Sequence, residues 1–465
     1  MSKITRRDFI NGTLLVAGSS VLPLAVGSQE AMATLDSSYY PPARTGLRGS
    51  HPGSNDHAHE RAWAGRSDWG HTTKLSETYD LVVVGAGLSG LAAAYFYQQQ
   101  YGSEKKVLIL DNHDDFGGHA KRNEHTIDGV MRLGHGGSQS IVEPKHASKI
   151  VLDLLQDIGV DLDRFESAYD TSFFKRHELG GVTYFNEEVF GKNKVVQHPY
   201  CNYPNYVEGL QSTQLSNEDA AQQAPLSAAG RKQLLRVLNG GLHTLKVPKQ
   251  ELRNYTNTHS YFDYLKNTLG VDDPGVLRMA RNSGLDWAST GADVMSIAAA
   301  KRSGAMGFAP VAVYDEDNRY IHHFPDGNAG VARALVKKLI PGVAKGRNAE
   351  ELVMARFKYA ELDKSSNVVR LRLNSTVVNV VHGGGSRNAG DVFVNYINDS
   401  RSYQVKARNV VMACYNMIIP HIVSGLPEEQ AEALKLQNKS PLVYTTVGLR
   451  NWRAVKEQGI GMAMS

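Results

Sequence analysis

Three glycines and one acid, at fixed spacing, are the residues best suited to chemistry in this chain. Gly85, Gly87 and Gly90 lie in the run Gly85-Ala86-Gly87-Leu88-Ser89-Gly90, and Asp111 follows Gly90 by twenty-one residues. This spacing suits a dinucleotide. Gly85 permits a tight turn, Gly87 lets the backbone approach a pyrophosphate, and Gly90 lets a helix pack closely on a strand. Leu88 and Ser89 would open that helix, whose free N–H groups and positive dipole end favour phosphate. Asp111 would accept hydrogen bonds from ribose hydroxyls.

The elements that must position these residues are legible around them. Leu81-Val82-Val83-Val84 reads as a buried parallel strand running into the glycine turn. An Ala-rich helix follows, then a second apolar strand, Val107-Leu108-Ile109-Leu110, ending at Asp111. Together they predict a complete βαβ unit. Its continuation, Asn112-His113-Asp114-Asp115-Phe116 and then Gly117-Gly118-His119-Ala120, resembles the start of the FAD-binding domain in the flavin amine oxidase superfamily. That resemblance implies FAD, not NAD, with Asn112 beside the acid and Gly117, Gly118 and His119 near the flavin-side phosphate.

The N-terminus points to export. Thr5-Arg6-Arg7-Asp8-Phe9-Ile10 matches a twin-arginine signal, followed by a mildly apolar stretch from Gly12 to Val26 and a small-residue cleavage site at Ala31-Met32-Ala33. Residues 1–33 are therefore expected to act as a signal peptide, with passage through the Tat export machinery to the periplasm. That route carries folded proteins, which suits an enzyme loaded with a cofactor. The hydrophobic fraction of 42%, charged fraction of 21% and net charge of +4 are ordinary for a globular protein, and nothing suggests a nucleic-acid partner. The two cysteines, Cys201 and Cys414, make neither a disulfide framework nor a Cys-based metal or iron–sulfur spacing.

The remaining chain predicts an α/β fold: a Rossmann-like FAD-binding domain of flavin amine oxidase type with an inserted, largely helical substrate domain. Residues 34–77 read as an irregular arm, 78–145 as the first part of the FAD-binding domain and 146–310 as the insertion. Residues 311–420 return to the FAD-binding domain, and 421–465 read as a strand region of the substrate domain. Helices are expected at Ala147–Leu155, Ala229–Leu242 and Gly330–Leu339. An exposed loop is expected at Asn217–Ala229. Strands are expected at Val368–Leu373, Val392–Ile397, Asn409–Cys414 and Pro441–Val447.

Longer strings narrow the resemblance. Gly46–Ser54, Leu133–Ser140, His323–Asn328, Asn409–Pro420 and Tyr444 to Trp452 are similar to the twin-arginine-exported spermidine dehydrogenases. This implies oxidation of a polyamine C–N bond to an aldehyde and an amine, with hydride passing to flavin N5. The family uses a Gly-rich closing segment that nothing here resembles, so the chain is expected to be truncated relative to it. The resemblance places Gly134, His135, Gly136 and Gly137 against the isoalloxazine, Val378 on the strand beside adenine, and Ala413 and Cys414 near the cofactor. Tyr444 falls where many relatives carry a lysine, and Trp452 where an aromatic wall cages the amine. Asp286, and after it Glu143, are candidates for pairing a remote ammonium group. Some relatives also carry haem. His51, His57 and His59 are therefore candidate axial ligands for a non-covalent haem b passing electrons to an unidentified acceptor. Two other readings stay open: another amine or amino-acid oxidoreductase of the same fold, and a non-catalytic flavin or haem carrier.

Overall fold

The computed structural model describes residues 38–201, 207–211, 215–283, 289–308, 319–384 and 390–465. The signal segment and Asp286 lie outside the described residues.

The main sheet forms from the strands expected around the glycine turn and from those that return late in the chain. Strand β1 (Thr72–Val84) leads through helix α2 (Leu88–Tyr101), which follows a short arm helix α1 (Asp56–Ala62), into β2 (Val107–Leu110). A hairpin, β3 (Arg122–Ile127) and β4 (Val130–His135), follows. The later strands β7 (Val369–Arg372), β8 (Ser375–His382), β9 (Val392–Asn398) and β10 (Arg401–Met412) complete a six-stranded sheet of order β7-β2-β1-β10-β9-β8. Its first four strands run parallel, and β9 and β8 turn antiparallel at one edge. All four residues of β2 are buried, as are Leu81 to Val84 of β1. That suits a strand covered on both faces. Helix α7 (Ala329–Leu339), which is almost wholly buried, packs on α2.

Between the two halves lies a region with helices α3 (Lys149–Asp157), α4 (Asn217–Gln223), α5 (Ala228–Leu238) and α6 (Pro274–Asn282). It has its own core, built around Phe185, Leu234, Tyr261, Tyr264 and Leu265. A small sheet joins β5 (Gly180–Phe185) and β6 (Lys194–Val196) to β11 (Ile460–Met464), in the order β11-β5-β6.

Three expectations differ from what is observed. The stretch Asn217–Ala229 is not a loop but α4 and the start of α5. Ser216 caps α4 by accepting from the Asp219 N–H, and Ala220, Ala221 and Ala224 are buried. The arm is more ordered than its composition suggests: it contains α1, and Thr72–Glu77 already belong to β1, where Thr72 to Lys74 pair with Ser402 to Gln404. Pro441–Val447 pairs with no strand among the described residues, and Leu442, Val443 and Val447 are exposed.

Candidate dinucleotide and redox site

The C-terminal ends of β1, β2 and β10 meet at one place, and the three fingerprint glycines each meet a separate demand there. Gly85 has φ +110°, and a Cβ on it would stand 2.6 Å from the Ala413 carbonyl oxygen. Ala413 therefore lines the turn just beyond β10. A Cβ on Gly90 would collide with the Gly85 carbonyl and press on Val83, so the helix could not sit this close to its strand. Gly87 differs. It is the N-cap of α2, its nearest neighbour for a Cβ is Gly118 Cα at 3.7 Å, and the space beyond is open.

Gly117 and Gly118 come to this point because the segment after β2 folds back across the turn. Gly117 N–H donates to the Ala86 carbonyl at 2.9 Å, and Gly87 and Gly117 form an isolated parallel bridge. Both glycines of the pair have positive φ, +98° and +59°. The first turn of α2, opened by Leu88 and Ser89, thus faces a second glycine backbone across a gap where an added Cβ would intrude. An uncapped helix start with free N–H groups suits a pyrophosphate.

Asp111 is buried at the end of β2. One carboxylate oxygen accepts from Ala86 N–H at 2.6 Å, and the other from His113 N–H at 2.8 Å. Burial opposes ionisation, but the His113 ring at 3.1 Å and its backbone N–H hold the carboxyl below the usual range. The acid is thus a fixed, ionised acceptor at the end of β2. Val378 is fully buried at a bulge of β8, the strand that leaves Asp111 through the Ser375 N–H to Asp111 O bond of 2.7 Å.

The arm closes over the same loop. Asn112 donates to Ser54 O at 2.6 Å, Arg48 reaches Asp115 at 3.3 Å, and Arg44 pairs with Asp114 at 2.8 Å. His51 Nε2 accepts from Asp114 N–H at 3.0 Å. His57 leans on Glu60 and Trp69, and His59 stacks on Trp63. A haem iron on His51 would first have to displace the Asp114 N–H.

The strings Leu133–Ser140 and His323–Asn328, far apart in sequence, fold against each other. Asn328 donates to Ser138 Oγ at 2.9 Å and to Ser140 O at 3.0 Å, and a Cβ on Gly327 would meet His135. Gly136 packs on Lys121 and Gly137 on His119, which joins this string to the second glycine pair. Below it, Arg122 and Asp326 form a buried ion pair at 2.6 Å, with Arg333 beside Asp326 at 3.8 Å.

Two histidine–tyrosine pairs border the glycine strings. His119 Nε2 meets the Tyr415 hydroxyl at 2.7 Å, and His135 Nε2 meets the Tyr444 hydroxyl at 3.0 Å. Thr446 ties the Tyr444 segment down by donating to His135 O at 2.9 Å. Tyr444 is half exposed, and burial raises its hydroxyl pKa. Cys414 stands past the end of β10, its thiol pushed up to about 12 by burial. Trp452 joins a different aromatic group, with Phe173 and His177 at centroid distances of 5.6 and 4.9 Å. Glu143 lies on an exposed turn in left-handed conformation, 3.7 Å from His146.

Sequence reasoning missed Arg48, Arg122, Asp326, Arg333 and Tyr415. Arg48, Asp326 and Tyr415 sit inside strings already singled out, and for Asp326 an acid in the turn before a helix was the available signal. No spacing linked Arg122 to Asp326, 204 residues apart.

The family described as NAD(P)-binding Rossmann-like domain matches residues 83–157. That stretch runs from the end of β1 through α2 and β2, the Rossmann-like part of the main sheet. Such a domain supports a redox function. No curated protein matches the chain. Among solved structures, an oxidoreductase from Methanosarcina mazei is 14% identical with a TM-score of 0.34, over 77% of this chain and 64% of that one. The chain thus spans less than two thirds of that protein's length. No helix among the described residues is long and apolar enough to cross a membrane.

Proposed function

We propose that the chain binds FAD and oxidises the C–N bond of an amine, a polyamine of the spermidine type first among them, to an aldehyde and a smaller amine. The observation that carries FAD over NAD is the crossing of two glycine backbones. Gly87 and Gly118 face each other across a gap that a single side-chain carbon would enter. The pyrophosphate would lie on Gly87, Leu88 and Ser89, the adenosine ribose on Asp111, and the flavin-side phosphate on Gly117 and Gly118. Gly134 to Gly137 would then pass the ring. When bound, FAD supplies the hydride acceptor.

The protein's own part is to present the amine in its neutral form, because a protonated nitrogen has no lone pair to assist loss of hydride. His135, Tyr444 and the neighbouring His323 offer polar partners, and burial lowers the His323 pKa. We further propose export through the twin-arginine route to the periplasm, on the strength of Arg6-Arg7 and the apolar stretch after them. Haem at the arm gains no support from His51, His57 and His59, which are engaged by Asp114, Glu60 and Trp63.

The test is an anaerobic one. The FAD-loaded chain is mixed in turn with spermidine, spermine and a simple monoamine while the flavin absorption is followed and aldehyde is assayed. Bleaching by the polyamines, with aldehyde in equal amount, is the expected result. Flavin that stays oxidised with every amine would remove this reading.

A further inference from the structure

The hydrogen bonds around His135 determine its tautomer, and the tautomer assigns it a task. His135 Nδ1 lies 3.0 Å from the Gly136 carbonyl oxygen. A carbonyl only accepts, so Nδ1 carries a proton, and in the neutral ring Nε2 presents a lone pair. The group facing that lone pair is the Tyr444 hydroxyl at 3.0 Å, which must therefore donate to it. Tyr444 in turn is half exposed, so its oxygen lone pairs remain within reach of a ligand.

We propose that Tyr444 and His135 form a proton relay that takes the proton from a substrate ammonium group. This rests on the amine-oxidation reading. The ammonium N–H gives its proton to Tyr444 Oη as the Tyr444 hydroxyl proton passes to His135 Nε2. The N–H bond of the ammonium and the O–H bond of Tyr444 break, and a new O–H bond and an Nε2–H bond form. The amine is left neutral with its lone pair free, Tyr444 is a neutral phenol as before, and His135 has become an imidazolium. No electron moves in this step.

The surroundings suit the assignment. The backbone of His135 is held from both sides, by Thr446 donating to its carbonyl and by Asn123 donating to the same oxygen at 3.2 Å. Among the described residues, the titratable groups facing the pair are His323 across from His135 and Tyr320 beside Tyr444. Burial raises the Tyr444 pKa, which favours the phenol over the phenolate.

Two variants and two readouts test this. Tyr444→Phe keeps the ring and removes the relay oxygen, and His135→Gln removes the base. For the FAD-loaded wild type, the rate of flavin reduction by spermidine should level off on the alkaline side and fall tenfold per pH unit on the acid side, where the imidazole already holds a proton. Each variant should lose roughly 100-fold near neutral pH. Each should also regain rate steadily up to the amine's own pKa, because the neutral amine must then come from solution. The double variant should be no slower than either single one. A wild-type pH profile in Tyr444→Phe would overturn the proposal. Nitrogen NMR of the histidine rings in the FAD-free chain supplies the second readout. It should show His135 protonated at Nδ1, with the Nε2 signal moving in Tyr444→Phe; protonation at Nε2 would overturn the relay whatever the substrate. If no amine bleaches the wild-type flavin, amine oxidation fails by itself, and the NMR result still decides the relay geometry.

Discussion

Replacing Gly87 or Gly90 by alanine should separate binding from folding within a single turn. Gly87 has φ −70° and ψ 178°, which alanine adopts without strain, and its Cβ would have only Gly118 Cα near, at 3.7 Å. Folding should be unaffected or gain about 0.4–1 kcal/mol from the restricted unfolded chain. That same methyl would stand between the α2 N–H groups and a pyrophosphate. Losing one charge-assisted hydrogen bond of about 1.5–3 kcal/mol weakens Kd roughly 10- to 100-fold. Gly90→Ala behaves in the opposite way. Its Cβ would overlap the Gly85 carbonyl and crowd Val83 Cγ1 at 3.2 Å, so helix and strand must part, at about 1–3 kcal/mol. Thermal melts of the FAD-free proteins and flavin fluorescence titrations measure both effects. A Gly87→Ala protein that binds FAD as tightly as the wild type would refute the reasoning.

Three further outcomes follow from buried charges. Asp326→Ala leaves Arg333 buried without a carboxylate and Arg122 with Glu124 alone, and should cost about 3–5 kcal/mol in urea unfolding, whereas Asp326→Asn should cost less. His198 is buried, accepts from Tyr200 N–H at 2.9 Å, and has its pKa pushed down by burial from 6.5 to about 4. Both states are neutral above pH 6.5. Below it the unfolded chain takes a proton that the folded chain refuses, so stability falls with pH by about 3 kcal/mol by pH 4. His198→Gln should flatten that limb in melts taken from pH 7 to 4.5. Arg48→Met should loosen the loop from Asp111 to Phe116, seen as faster amide exchange there and weaker FAD binding with α2 unchanged.

The parts legible in sequence were those whose signal is local. The run from Leu81 through Gly90 to Asp111 carries strand, turn, helix and acid within thirty-one residues, and the structure reproduces each. Gly117 and Gly118 were legible as a pair, and their crossing over Ala86 and Gly87 follows from the positive φ that only glycine adopts readily. Asn217–Gln223 was misread because polar composition masks a helix whose alanines alone face the core. Arg122 with Asp326, and His135 with Tyr444, are joined across 204 and 309 residues, where no spacing rule reaches. His135 and Tyr444 were each singled out alone, and their contact emerges only from the fold.

Equilibrium titration of the purified, cofactor-free chain with FAD, NAD and NADP, read by calorimetry and flavin fluorescence, tests the central claim most directly. The account predicts tight one-to-one binding of FAD, far weaker binding of NAD, and rejection of NADP by the ionised Asp111. Binding of NAD in preference to FAD would contradict it, and with it the assignment of Gly117 and Gly118 to the flavin-side phosphate.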